Sequence, residues 1–147
     1  MSLQNPYGAY QQAQTLTTSK LKLIVMLHDG LLRFLAQAAN ATTRRDFPEK
    51  GKYFGRAFAI LNHLIATLDK PSGGKLADDL EKFYMYFRSQ LMLANAHNDV
   101  RHIKQIMSHI RDVRNAWATV ESDARVTTAE PMAMERDESG EGLLLAA

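Results

Sequence analysis

The chain has 147 residues, 46% of them apolar, with a formal net charge of +2 and no cysteine. That is enough for one domain with a real core and short for two, and it excludes a disulfide scaffold, a thiol nucleophile and a cysteine-built zinc site. The polar opening MSLQNPYGAYQQAQTLTTSK lacks the apolar core of a secretory signal, and no apolar run approaches the ~18 residues of a membrane span, so a soluble, non-secreted protein without membrane insertion is expected.

Residues 1–17 read as an N-terminal arm, polar except for Tyr7 and Tyr10, which a short turn would place on one side. The first helix is expected from the hydroxyl cluster TTSK, which offers N-caps, to about Thr42. Within it, LIVMLHDGLLRFLAQA carries Ile24, Leu27, Leu31, Phe34, Leu35 and Ala38 on one stripe, widened by Leu21, Leu23, Val25, Leu32 and Ala36. The arc is roughly twice the ~100° stripe of an ordinary surface helix. Only Lys22, Asp29, Arg33 and Gln37 make the polar wedge, and Asp29 and Arg33 are spaced for an i,i+4 pair. Gly30 permits a close approach, by a partner or by a neighbouring helix.

DFPE announces a second helix, with Asp46 as N-cap, Pro48 in the first turn and Glu49 at the reciprocal capping-box position. It runs to Leu68 and is stopped by DKPSGG. A third helix runs from Lys75 to about Ala96, with Leu76, Leu80, Phe83, Tyr84, Phe87 and Leu91 at three- and four-residue spacing. Met85 and Met92, a heptad apart, lie opposite that stripe, and Tyr86 and Leu93 lie between the two faces. After a break at HND, with Asn98 or Asp99 as cap, a fourth helix aligns Val100, Ile103, Ile106, Met107, Ile110, Val113 and Trp117. No strand pattern is present.

The expectation is an all-α, antiparallel four-helix bundle over residues 18–121, preceded by the arm. Residues 122–147 lose the period and carry a net charge of −4, which predicts a disordered acidic tail. Its end, LLLAA, is either an apolar end of no consequence, the simpler reading, or a flap on a flexible tether.

Catalysis is not supported. There is no Glu-x-x-His pair of the di-iron bundle kind, and Asp99 before His102 is better explained as a cap, so no metal site and no cofactor are expected. No serine–histidine–acid set or phosphate loop can be placed. A phosphotransfer bundle needs an exposed reactive histidine. His28 lies in the apolar arc, His63 beside a core face, and His102 with Lys104 is only a loose match. No Lys/Arg cluster with interleaved aromatics points to nucleic acid. What remains is surplus apolar surface, which either faces the interior of the bundle or marks a partner.

NPYGAY, LIVMLHDGLLRFLAQA, LDKPSGGKLADDLEKFYMYFRSQLMLAN and IRDVRNAW, in that order, resemble the flagellin-specific export chaperones of the FliS family from about Tyr7 to Trp117. The chain departs at His28, where the family commonly has tyrosine. The resemblance implies a non-enzymatic helical bundle of the bacterial cytosol that binds the disordered C-terminal segment of flagellin. Binding would prevent premature polymerisation and assist delivery to the flagellar export apparatus. It also implies that Tyr7 and Tyr10 cover part of the groove until the client displaces them. Leu27 and Leu31 on the first helix, and Met85, Met92 and Leu93 on the third, are the expected client contacts. A histidine phosphotransfer-type signalling bundle is the alternative.

Overall fold

The computed structural model describes residues 6–129 and 146–147, with side chains described at Thr17, from Ser19 to Val126 and at 146–147. Four helices follow one another: α1 (Pro6–Thr43), α2 (Phe47–Ala66), α3 (Lys70–Ala96) and α4 (Val100–Ala129). No strand occurs among the described residues. Short turns reverse the chain three times, and each helix packs on its neighbours in sequence while α4 returns to pack on α1, as an antiparallel bundle requires.

Helix α1 is the long element, 38 residues or about 57 Å. It starts at Pro6 rather than near Thr17, so residues 6–17 continue the helix instead of standing apart from it. Proline suits that position, where its missing N–H has no helical partner to lose. Tyr7 and Tyr10 fall on this extension, and their side chains lie outside the described ones.

Both turns at one end of the bundle close in the same way. Arg45 and Asn98 adopt positive φ, at 60° and 52°. The residue after each sends its N–H back five residues, Asp46 to the Ala41 carbonyl at 2.8 Å and Asp99 to the Ala94 carbonyl at 2.9 Å. These are Schellman closures that satisfy terminal carbonyls. The Asp46 carboxylate then caps α2 by accepting the Glu49 N–H at 3.2 Å. The reciprocal half of the capping box does not form, because the Asp46 N–H is already committed to Ala41. Asp99 accepts the His102 N–H at 3.0 Å, the capping role expected of it. Lys50 ties the two turns together through the Asn95 carbonyl (3.0 Å) and Asn98 Oδ1 (2.6 Å).

At the other end, the sequence DKPSGG does not simply interrupt the chain. Asp69 caps Ser72 at 3.1 Å, and residues 70–73 form a first turn that kinks at Gly74 before α3 continues. Gly74 has φ 55° and ψ −130°, a region open in practice only to glycine. Helix α4 also outlasts its expected end near Val120. Val120 and Glu121 are buried, and Glu121 pairs with Arg125 at 2.9 Å across one turn. The disorder expected of the tail falls mainly on residues 130–145, which lie outside the described ones.

The core contains Leu21, Ile24, Leu31, Leu35, Phe54, Leu61, Leu64, Leu80, Tyr84, Phe87, Leu91, Ile103, Ile106, Ile110 and Trp117. The width of the apolar arc on α1 now has a physical cause. One side of the helix meets α2, the other meets α4, and His28 reaches across the interior to Tyr84 on α3. Gly30 serves the crossing with α2: a Cβ there would touch Ile60 Cδ1 at 3.4 Å. Most of the arc is therefore consumed inside the bundle.

Candidate functional site

The apolar surface left over is concentrated on α3. Phe83, Met85, Tyr86, Met92 and Leu93 are all exposed, Met92 at 58% and Tyr86 at 50%. A helix turning 100° per residue sets Met85 and Met92 on one flank of its outer face and Tyr86 and Leu93 on the other, with Lys82 and Ser89 between them. Methionine is unbranched and polarisable, and suits an irregular partner. Tyrosine offers a large ring at low entropic cost with a hydroxyl that stays wet. Phe83, read from spacing as part of the inner stripe, lies at its margin and is exposed. On α1, Leu23 and Met26 are exposed at 52% and 58%. They belong to the back of that helix, so the bundle carries uncovered apolar residues on two helices that face each other diagonally.

Of the residues singled out in the sequence, Met85, Met92 and Leu93 are on this face. Leu31 is completely buried and Leu27 half-buried. Leu31 is thus a core residue of the free bundle, because it sits at the centre of the α1 arc rather than on its flank. Leu23, which its spacing assigns to the apolar arc, and Met26 are instead surface residues of α1. Met26 lies opposite the stripe on the wheel, which is the available signal, whereas Leu23 sits at the edge of the arc.

Beneath the surface runs a chain of buried polar groups. Trp117 Nε1–H donates to the Tyr84 hydroxyl at 2.9 Å, and His28 Nε2 lies 3.1 Å from the same oxygen. His28 Nδ1 lies 2.8 Å from the Ile24 carbonyl. A carbonyl only accepts, so Nδ1 carries the proton. Nε2 then accepts from the Tyr84 O–H. Every group in the chain is satisfied with a neutral imidazole. Burial pushes the His28 pKa below its ordinary 6.5, partly opposed by the Ile24 hydrogen bond, and burial raises that of Tyr84. This network links α1, α3 and α4 and fixes the tryptophan, which is 1% exposed as the sequence reading expected.

His63, His97 and His109 are exposed, and His102 Nε2 lies 2.9 Å from Gln90 Oε1. Asp29 pairs with Arg114 at 2.8 Å, joining α1 to α4, instead of with Arg33 along its own helix. Among the described residues, no group of three or more His, Asp or Glu could hold a metal ion, and no helix is long and apolar enough to cross a membrane.

A four-helix bundle that leaves apolar residues uncovered on a helix face carries the kind of surface that marks sites of protein interaction. Residues 3–124 match the family model described as flagellar protein FliS, and the chain belongs to that family. It is 36% identical over 112 residues to the flagellar secretion chaperone FliSB of Pseudomonas aeruginosa, covering 74% of this chain and 89% of the relative. It is 35% identical over 120 residues to the flagellar secretion chaperone FliS of Campylobacter jejuni, covering 82% and 94%. The corresponding protein of Bacillus subtilis is 32% identical over 117 residues, covering 80% and 86%.

Proposed function

We propose that this protein is a cytosolic export chaperone, without enzymatic activity or cofactor, that binds the disordered C-terminal segment of flagellin. In this reading it prevents premature polymerisation and assists delivery to the flagellar export apparatus. The observation that carries the reading is the uncovered face of α3, where Met85, Tyr86, Met92 and Leu93 stand exposed at helical spacing on a bundle whose core is already complete. An amphipathic client helix laid along such a face would meet anchors about two turns apart. A client disordered beforehand loses chain entropy on ordering, so affinity per unit area should be modest while the wrapped area is large. Exposed Leu23 and Met26 on α1 give a wrapping client a second foothold. Leu27, half-buried against the core, has only part of its side chain to offer a client, and Leu31 would contribute only through the packing beneath it.

Calorimetric titration with a peptide of the flagellin C-terminal region tests the proposal. Met85→Glu and Met92→Glu place a charge where solvent already stands, so each should leave stability nearly unchanged. Each should weaken binding by about 2 kcal/mol or more if the methionine is an anchor. Absence of heat with the unaltered chain, or full affinity in both variants, would sink the assignment of this face. The N-terminal extension is proposed to compete with the client through Tyr7 and Tyr10. Occupancy by the extension lowers apparent affinity. The double Tyr→Ala variant should therefore bind the peptide more tightly and take up more of an apolar dye, and no change in either measurement would remove the tyrosines from the mechanism.

A further inference from the structure

At the α2–α3 end of the bundle, Ala146 and Ala147 are buried, at 0% and 7% exposure. The simpler reading of the chain's last residues, an apolar end of no consequence, does not describe them. The Ala146 carbonyl accepts the N–H of Asp69 at 2.9 Å. Asp69 is the cap of α3, and with its carboxylate on Ser72 its own N–H finds an acceptor in Ala146. Gly73 gives the second contact. A Cβ there would stand 2.5 Å from Ala146 Cα, closer than atoms can approach, so the backbone of Ala146 lies directly on glycine. Ile24, Leu64, Leu68, Tyr84 and Trp117 wall the slot, and the cavity left around the two alanines is about 10 Å³, the room of roughly one water.

We propose that this slot is an intramolecular docking site whose occupant is the Ala146–Ala147 pair. Three features select that occupant: a single backbone donor with a waiting acceptor, a floor made of glycine, and walls that leave no space beyond a methyl group. The family match ends at residue 124, so the occupant belongs to a part of this chain that the match does not include. Covalent linkage makes the occupancy reachable. Trp117 to the end of α4 at Ala129 is about 18 Å of helix that the chain must retrace. The sixteen residues 130–145 can span up to ~53 Å. A segment tethered within that reach acts at an effective concentration of the order of millimolar, so a two-residue contact can be held that would never persist between separate molecules. A peptide that displaces the tail must itself present alanine- or glycine-sized residues to the Gly73 floor. The inference is independent of the client reading and stands if the α3 face binds nothing.

The test uses the unaltered chain, a chain ending at Leu145, and Ala146→Glu in the full-length chain. In the unaltered chain at low micromolar concentration, nuclear Overhauser contacts between Ala146 and Gly73 are expected. Both variants should keep their helical circular dichroism. Their Asp69 amide should exchange at least tenfold faster, and Trp117 emission should move to the red. A synthetic peptide of residues 141–147 at micromolar concentration should restore neither signal in the shortened chain, because the contact depends on its tether. Missing Ala146–Gly73 contacts in the unaltered chain would overturn the proposal whatever the variants do. So would unchanged Asp69 exchange in both variants. Contacts that disappear on dilution, together with a dimeric mass at high concentration, would assign the slot to the tail of a second copy instead.

Discussion

Tyr84→Phe removes one oxygen and leaves two other groups without partners. In the native bundle that oxygen accepts the Trp117 N–H at 2.9 Å and donates to His28 Nε2 at 3.1 Å, and all three side chains are essentially inaccessible to water. The ring volume is retained, so the cavity contribution is small. The cost comes from stranding a buried donor and a buried acceptor, about 1–3 kcal/mol each. Removing the hydroxyl's own burial offsets part of it. The expected net loss is about 2–4 kcal/mol, or a fall in melting temperature of about 4–16 °C for a chain of this size. Urea unfolding followed by circular dichroism measures the first, and a thermal scan the second. Tyr86→Phe is the control, since its ring is exposed and the change should stay within about 0.5 kcal/mol. A loss below about 0.5 kcal/mol for Tyr84→Phe would refute the reasoning, because Trp117 and His28 would then have found other partners or done without them.

The same network predicts a pH dependence. The unfolded chain takes up a proton at His28 near pH 6.5, while burial holds the folded pKa lower, so the contribution is present above 6.5 and is lost as pH falls below it. One proton limits the slope to about 1.4 kcal/mol per pH unit. Unfolding midpoints between pH 7.5 and 5 should therefore fall more steeply in the unaltered chain than in His28→Gln, and parallel curves would remove His28 as the cause. Arg45→Gly should raise stability by about 0.5–1 kcal/mol, since Arg45 holds a positive φ at a helix end that suits glycine; its guanidinium lies 5.6 Å from the Phe47 ring, and a decrease would mean that this contact outweighs the strain.

Much of the fold was legible because the signals were local. Asp46 and Asp99 act as caps, Trp117 closes the interior, and four helices follow the apolar spacing. The structure departs from the local pattern where local and distant preferences compete. The glycines and proline of DKPSGG were read as a break, yet Asp69 supplies a cap that turns Lys70–Gly73 into the start of α3. The Asp29–Arg33 spacing was right for a pair, but Arg114 from α4 offers a better-placed partner. On the α3 face, Met85 and Met92 could be found from their position opposite the core stripe. Leu31, at the centre of the α1 arc, is legible as core; the arc's edges, where Leu23 is exposed and Val25 half-buried, are not, because a helix enclosed by two neighbours and touching a third has no single inward direction. The seat of Ala146 was beyond reach: nothing in LLLAA announces Gly73 as its floor.

The contact between Asp29 and Arg114 spans 85 positions of sequence and fastens the first helix to the last. Loop entropy must be overcome before so long-range a contact rewards it. During synthesis at roughly 5–20 residues per second, α1 emerges many residues ahead of α4. Through that interval its wide apolar arc has only α2, and then the diagonal α3, to shield it. The nascent chain is therefore an adhesive object for several seconds, and its solubility in that window depends on the partners it meets before Arg114 leaves the ribosome.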